Sequence, residues 1–226
     1  MDPIASAKAA NWLVGNRLAN VLHLGDGPLA YELADQGHEV TILGDDVTSV
    51  RNPLLSYVRS QGDLLPLRSN SFDAVIIGFL QESPAALAEY ARVLVPGGIL
   101  ATMSRRYDDS IPWMRKLRQI TGDREPNEPA VDTFSASGLF SEPEVEVFNA
   151  WEELDLNGLL LFAEQTKQPS TPEAAMGAVH ELWREYASGT GKLRLRHETR
   201  CLRSIVDKSA LAIDPDPPDA VLVSLD

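Results

Sequence analysis

Residues 22–30 read LHLGDGPLA, from Leu22 through the paired glycines Gly25 and Gly27 to Ala30. The short apolar run Val21 to Leu24 flows directly into those glycines, and Pro28 stands where a helix would place its first residue. A proline's missing N–H costs nothing there. The stretch therefore reads as a buried parallel strand, a tight turn and a helix over residues 28–36 that Gly37 closes. Glu39 to Leu43, EVTIL, is β-branched and apolar and supplies the next strand.

The same logic extends in both directions. Residues 4–14 have helix-forming composition ended by Gly15-Asn16, and a helical segment over 47–60 begins or bends at Pro53. Residues 72–78, FDAVIIG, form a strand buried on both faces by a near-continuous apolar run. Ser83-Pro84 starts a helix with Leu87, Tyr90, Ala91 and Leu94 on one face, Pro96-Gly97-Gly98 stops it, and Ile99 to Met103 follows as a strand. Strands and helices thus alternate to about residue 122, which implies a doubly wound, mostly parallel α/β sheet of the Rossmann-like kind. The ligand crevice of such a sheet lies at the carboxyl ends of its strands, so residues 23–27, 44–46, 78–82 and 103–107 fall along one edge.

After a proline-containing loop at 122–132, the chain continues with a short helix ending near Gly138, a strand at 144–151 and a helix at 155–166. Thr171-Pro172 caps a long helix carrying Ala175, Val179, Leu182, Trp183 and Tyr186 on one face. Residues 192–206 read as a strand whose basic positions face outward, and VLVSL after the break DPDPPD at 214–219 as an edge strand. The expected organisation is one domain over 1–226, with a cofactor-binding half at 1–122 and a substrate-enclosing half with the C-terminal strands at 123–226.

Thirty-three acids against 20 bases leave a net charge of -13. Such a surface repels phosphate backbones, which argues against a nucleic-acid substrate and for a small molecule. The single cysteine, Cys201, excludes an internal disulfide and a thiolate metal cluster, and reads as a half-buried strand position. No run is long and apolar enough for a signal peptide or membrane span, so the expected location is cytoplasmic.

Taken alone, Gly25-x-Gly27-x-x-Ala30 fits the Ala-ended dinucleotide fingerprint and also nearly fits a methyl-donor turn. Downstream segments separate the two. Gly62-Asp63-Leu64-Leu65-Pro66-Leu67, then Asn70-Ser71-Phe72-Asp73-Ala74-Val75, then Leu87-Ala88-Glu89-Tyr90-Ala91-Arg92-Val93-Leu94-Val95-Pro96-Gly97-Gly98 occur in that order. The series resembles the class I S-adenosylmethionine-dependent methyltransferases, particularly their small-molecule branch, over roughly residues 20–105. The stretch 155–168, the helix after it and the strand through His197 are similar to the substrate-enclosing C-terminal part of some members.

The resemblance implies S-adenosylmethionine as cofactor and assigns roles by position. Gly25, Asp26 and Gly27 approach its amino-acid portion, where a Cβ would intrude and the following helix offers N–H groups. Asp45, with Asp46 as the alternative, holds the ribose hydroxyls. Asp63 accepts the adenine amino group while the Leu64 N–H reaches the ring, and Gly78 and Phe79 flank the methionine portion. Tyr107 and Trp113 follow the fifth strand, where substrate walls form. No metal is implied, and the acceptor and oligomeric state stay open.

The chain departs from the family pattern at the turn. His23 stands where an acid is common, and Leu29 where a third glycine is common; Leu29 adds bulk near the bound methionine, and Asp26 offers a displaced negative charge. His23 is also the candidate base at the crevice edge. Two alternatives follow: a catalytically degenerate relative that keeps the fold for binding, and an NAD(P)-binding oxidoreductase, for which Asp45 lies twenty residues after Gly25.

Overall fold

The computed structural model describes residues 3–25, 27–44, 52–60, 64–77, 83–123 and 132–211. In chain order the elements are α1 (Pro3–Val14), β1 (Asn20–Leu24), α2 (Pro28–Asp35), β2 (Glu39–Gly44), β3 (Leu55–Arg59), β4 (Phe72–Ile77), α3 (Pro84–Val93) and β5 (Leu94–Tyr107). They continue with α4 (Pro112–Thr121), α5 (Asp132–Ala136), β6 (Glu144–Leu154), α6 (Leu156–Thr166), α7 (Ala175–Tyr186) and β7 (Leu193–Ile205). The seven strands form one sheet in the order β3-β2-β1-β4-β5-β7-β6. The pairs β1·β2, β1·β4, β2·β3 and β4·β5 are parallel, as a doubly wound sheet requires.

The described residues fall into two compact units, one within 6–104, 132–146 and 200–211 and the other within 3–5, 105–123 and 147–199. The first has its core where the apolar runs predict it. Val21, Leu22, Val75, Ile76 and Ile77 are sealed from solvent, so both faces of β1 and β4 are covered. Helix α3 lays Leu87, Tyr90 and Ala91 into the cluster holding Leu22, Val75, Ile77 and Leu100. Its start is fixed as the sequence indicates: Ser83 Oγ accepts from the Ala86 N–H, and Pro84 occupies the first turn. In the second unit Trp113, Met114, Leu117, Leu159, Val179 and Leu182 pack together from α4, α6 and α7.

Four local readings change. The predicted helix over 47–60 is replaced at its described end by β3, paired in parallel with β2 from Leu55 opposite Val40 to Arg59 opposite Gly44. Pro53 lies in the preceding turn, where Asn52 Oδ1 accepts the Leu54 N–H. Pro96-Gly97-Gly98 does not stop α3, which ends at Val93, but makes a bulge inside the 14-residue β5. There Phe72 faces Leu94 and Ala74 faces Ile99, so two steps on β4 are matched by five on β5. Gly97 has φ +77°, and a Cβ on Gly98 would stand 2.9 Å from the Val95 carbonyl oxygen, so each glycine is needed for a different reason.

Thr171-Pro172 does not cap α7, which starts at Ala175 without a side-chain cap; Thr171 Oγ1 instead donates to the Thr121 carbonyl at the end of α4. Cys201 is fully rather than half buried. The basic alternation is as read, with Leu193 and Leu195 buried and Arg194 and Arg196 exposed. The tail beyond residue 211 lies outside the described residues.

Candidate functional site

Leu24 pairs with Leu43 on one side and Ile77 on the other, and Ile77 pairs with Thr102. The chain therefore leaves β1, β2 and β4 at one level of the sheet. Strand order reverses between β1 and β4, the place where open α/β sheets hold ligands.

The glycine turn opens this edge. Gly25 has φ +83°, a left-handed conformation that favours glycine, and its N–H donates to the Leu43 carbonyl at 2.8 Å. Gly27 differs. Its backbone is extended (φ 177°, ψ 164°), and an added Cβ would meet nothing nearer than His23 Cε1 at 3.9 Å. Neither backbone conformation nor protein packing demands a glycine there. Gly27 is the N-cap of α2 and offers no side-chain cap; Pro28 carries no N–H and the Ala30 N–H donates to the Gly27 carbonyl at 3.0 Å, so an anionic ligand would draw on the N–H groups of Gly27 and Leu29. These features fit the amino-acid end of an adenosyl cofactor: a bare Cα beside uncapped N–H donors.

His23 is buried in β1, and its Nδ1 lies 2.8 Å from the Gly25 carbonyl oxygen. Such a contact requires the proton on Nδ1, which makes the ring a brace across the turn. Leu29 is 7% exposed and Ala30 not at all. The bulk expected to intrude on the ligand is spent inside the protein, which removes the steric objection to binding.

The loop Leu64–Ser71 leads from this edge, where Ser60 Oγ donates to the Leu64 carbonyl at 3.3 Å, to the start of β4 at the opposite edge. Leu64 is 77% exposed on this loop, while the neighbouring Leu65 is buried. The loop is held by two largely buried residues of α3 that the sequence reading left without a role. Glu89 Oε2 accepts the Leu65 N–H at 2.8 Å, and Arg92 donates to the Leu65 carbonyl at 3.0 Å and the Leu67 carbonyl at 2.8 Å. Arg92 Nε also donates to Glu89 Oε1 at 2.7 Å. Burial pushes the Glu89 carboxyl up, but the Arg92 hydrogen bond, the Leu65 N–H and the Arg92 charge together bring it below its ordinary value. The Arg92 carbonyl in turn accepts from the Asn70 N–H at 3.0 Å and from Lys208 Nζ at 3.1 Å. The one signal in the sequence was an acid and a base three residues apart on an otherwise apolar helix.

Asp26, Asp45, Asp46, Asp63, Gly78 and Phe79 lie outside the described residues. Their described neighbours Gly25, Gly44, Leu64 and Ile77 bound the segments in question.

Tyr107 and Trp113 belong to the second unit. Tyr107, the last residue of β5, meets Phe162 edge-on at 4.8 Å and His197 at 6.3 Å. Trp113, expected as a substrate wall, is instead core: it is 5% exposed and its indole N–H donates to the Arg194 carbonyl at 3.2 Å. Among the described residues no cluster of three or more His, Cys, Asp or Glu side chains could hold a metal, and no helix is long and apolar enough to cross a membrane. A cavity of about 280 Å³ lies at the opposite edge of the first unit's sheet, where Asn20, Glu39 and Phe72 begin their strands.

Comparison with known proteins agrees with this geometry. Residues 24–102 match the family model of a methyltransferase domain. A Mycobacterium tuberculosis protein described as an uncharacterized methyltransferase is 32% identical over 135 residues, 55% of this chain and 56% of its own length. A demethylmenaquinone methyltransferase of Renibacterium salmoninarum is 28% identical over 154 residues, 61% of this chain and 64% of that one. The chain thus aligns with little more than half of the mycobacterial relative. In fold, a protein described as a type II methyltransferase from Anaeromyxobacter dehalogenans superposes with a TM-score of 0.57 at 20% identity, over 88% of this chain and 94% of the other. Residues 24–102, which hold the glycine turn and the strand reversal, are thus similar to a methyltransferase domain.

Proposed function

We propose that this protein transfers a methyl group from S-adenosylmethionine to a small-molecule acceptor. The observation that carries the proposal is Gly27, a glycine that the fold does not need, placed at the uncapped N-terminus of α2 on the strand-reversal edge. Gly25 shapes the turn, and the N–H groups of Gly27 and Leu29 receive the cofactor's carboxylate end, with Asp26 beside them. Asp45, or Asp46, holds the ribose hydroxyls. Asp63 and the Leu64 N–H take the adenine, and Gly78 and Phe79 flank the methionine portion. When bound, the cofactor supplies an activated methyl on a sulfonium, and alignment of an acceptor with it provides much of the acceleration. His23 braces the turn that keeps this alignment.

The net charge of -13 favours a small metabolite over a polyanion. The name of the Renibacterium relative supports the same substrate class. A second reading, a binding protein that has lost catalysis, draws on His23 at a position where an acid is common; the burial of Leu29 weakens it.

Ligand-induced stabilisation separates the cofactors. S-adenosylhomocysteine at ten times its Kd should raise stability by about 1.4 kcal/mol. Stabilisation by NADH and none by S-adenosylhomocysteine would overturn the proposal, and stabilisation by neither at millimolar concentration would favour a degenerate fold. Asp45→Asn should weaken binding more than Asp46→Asn.

A further inference from the structure

Helix α3 grips the loop Leu64–Ser71 along its length. Glu89 takes the Leu65 N–H, and Arg92 reaches the Leu65 and Leu67 carbonyls and, at 3.2 Å, the Ser69 hydroxyl. Beyond them the Arg92 and Val93 carbonyls accept the N–H groups of Asn70 at 3.0 Å and Ser71 at 2.8 Å. Leu64 stands just before these ties. Its carbonyl accepts from Ser60 Oγ, and the Ser60 N–H donates to the Gly44 carbonyl at 3.0 Å, so Leu64 lies beside the carboxyl ends of β2 and β3. The peptide joining Leu64 to Leu65 is thus fixed from two sides, its oxygen by Ser60 and its N–H by Glu89.

Apolar side chains could cover this loop; a charged pair orients it. The Glu89 and Arg92 side chains are 14% and 13% exposed, and all three Arg92 guanidinium nitrogens have acceptors. A pair withdrawn this far from water adds little stability that apolar side chains of the same volume would not. It adds direction, because a bonded carboxylate and guanidinium fix the angle of the peptide groups they meet. Fixed angles matter where the next backbone group has to meet a ligand, and supporting residues of this kind set the precision of a site.

We infer that Glu89 and Arg92 are positioning residues for the cofactor's adenine: by clamping Leu65 they aim the Leu64 N–H at N1 of the base. Resting on the methyltransferase reading, this role deepens it, because it names residues off the ligand that set its base selectivity. Adenine N1 is an acceptor with no proton, so a backbone N–H held at a fixed angle recognises it. Replacing N1 by C–H removes the acceptor and leaves the N–H without a partner. A loosened Leu64 turns to water instead, and the two bases are then bound alike.

The probes are S-adenosylhomocysteine and its 1-deaza analogue, which keeps the 6-amino group and carries C–H in place of N1, titrated calorimetrically into the full chain. The wild type should bind the parent ligand at least about fivefold more tightly. Arg92→Lys, which keeps the charge without the fork, and Glu89→Met, which removes the acceptor of the Leu65 N–H, should each narrow the ratio to about twofold or less by weakening the parent. Residues serving the fold alone would lower the melting midpoint and leave the ratio unchanged. Amide exchange in the wild type gives a readout that holds whether or not the variants fold. Without ligand the Leu65 amide should exchange about tenfold more slowly than that of Leu64, and the parent should slow Leu64 at least about threefold more than the 1-deaza analogue does. No preference by the wild type, an unchanged ratio in a folded variant, a free Leu65 amide as fast as that of Leu64, or Leu64 slowed equally by both ligands would each overturn the assignment. Absence of S-adenosylhomocysteine binding sinks the methyltransferase reading, whereas its binding without the N1 preference sinks this inference alone.

Discussion

The glycine turn and the loop Leu64–Ser71 are held in opposite ways. The turn at Gly25–Pro28 is held by backbone geometry: a left-handed glycine, one hydrogen bond to β2 and a histidine ring across it. The loop Leu64–Ser71 is held by charge, through Glu89 and Arg92 reaching from α3 to its N–H and carbonyl groups. The glycine turn responds to glycine substitutions. The charge-held loop responds to both its partners and to acid.

The largest expected effect falls on the loop. Arg92→Met removes the donor to two carbonyls and leaves Glu89 largely buried without its counter-charge, which should cost about 3 kcal/mol in denaturant unfolding. Gly25→Ala should cost about 1–2 kcal/mol by forcing a Cβ into the left-handed region, although nothing stands within 4 Å of it. A cost for Gly25→Ala equal to that of Arg92→Met would erase the distinction between the two.

Acid sharpens the comparison further. The folded Glu89 carboxyl lies below its ordinary value of 4.5, so its contribution is fully present above that value and fades as pH falls through the lower, folded one. Glu89→Gln should flatten the stability profile in that acid window, whereas Gly25→Ala should keep the wild-type slope. The smallest effect belongs to Leu64→Ser. With 77% of Leu64 exposed, stability should change by less than about 0.5 kcal/mol, so any loss of S-adenosylhomocysteine affinity reports the ligand and not the fold.

What was legible in the sequence follows the same division. Strands β1, β2 and β4 and the start of α3 were readable because continuous apolar runs and a Ser-Pro cap are local signals. Strand β3 was not, since five residues with a mixed burial pattern carry no period and Pro53 suggested a helix start. Pro96-Gly97-Gly98 was recognised as punctuation but misread, because a bulge and a stop use the same residues and only the pairing partner tells them apart. Gly25 and Gly27 looked equivalent on paper; the structure shows that the fold requires one of them and not the other. Glu89 and Arg92 could not be assigned, because their partners are backbone groups of a loop some 25 residues away. Trp113 was read as a wall because it follows the fifth strand, yet its place on the apolar face of α4 makes it core.

That difference between the two glycines supplies the most direct test. Gly27→Ser adds a Cβ at a position where the protein offers room, together with a hydroxyl suited to capping α2. The variant should therefore be as stable as the wild type, or more stable by up to about 1 kcal/mol, while its affinity for S-adenosylhomocysteine falls by about tenfold or more as the new side chain fills the cradle and competes for the helix N–H groups. Unchanged affinity in a stable Gly27→Ser protein would contradict the placement of the methyl donor at this turn.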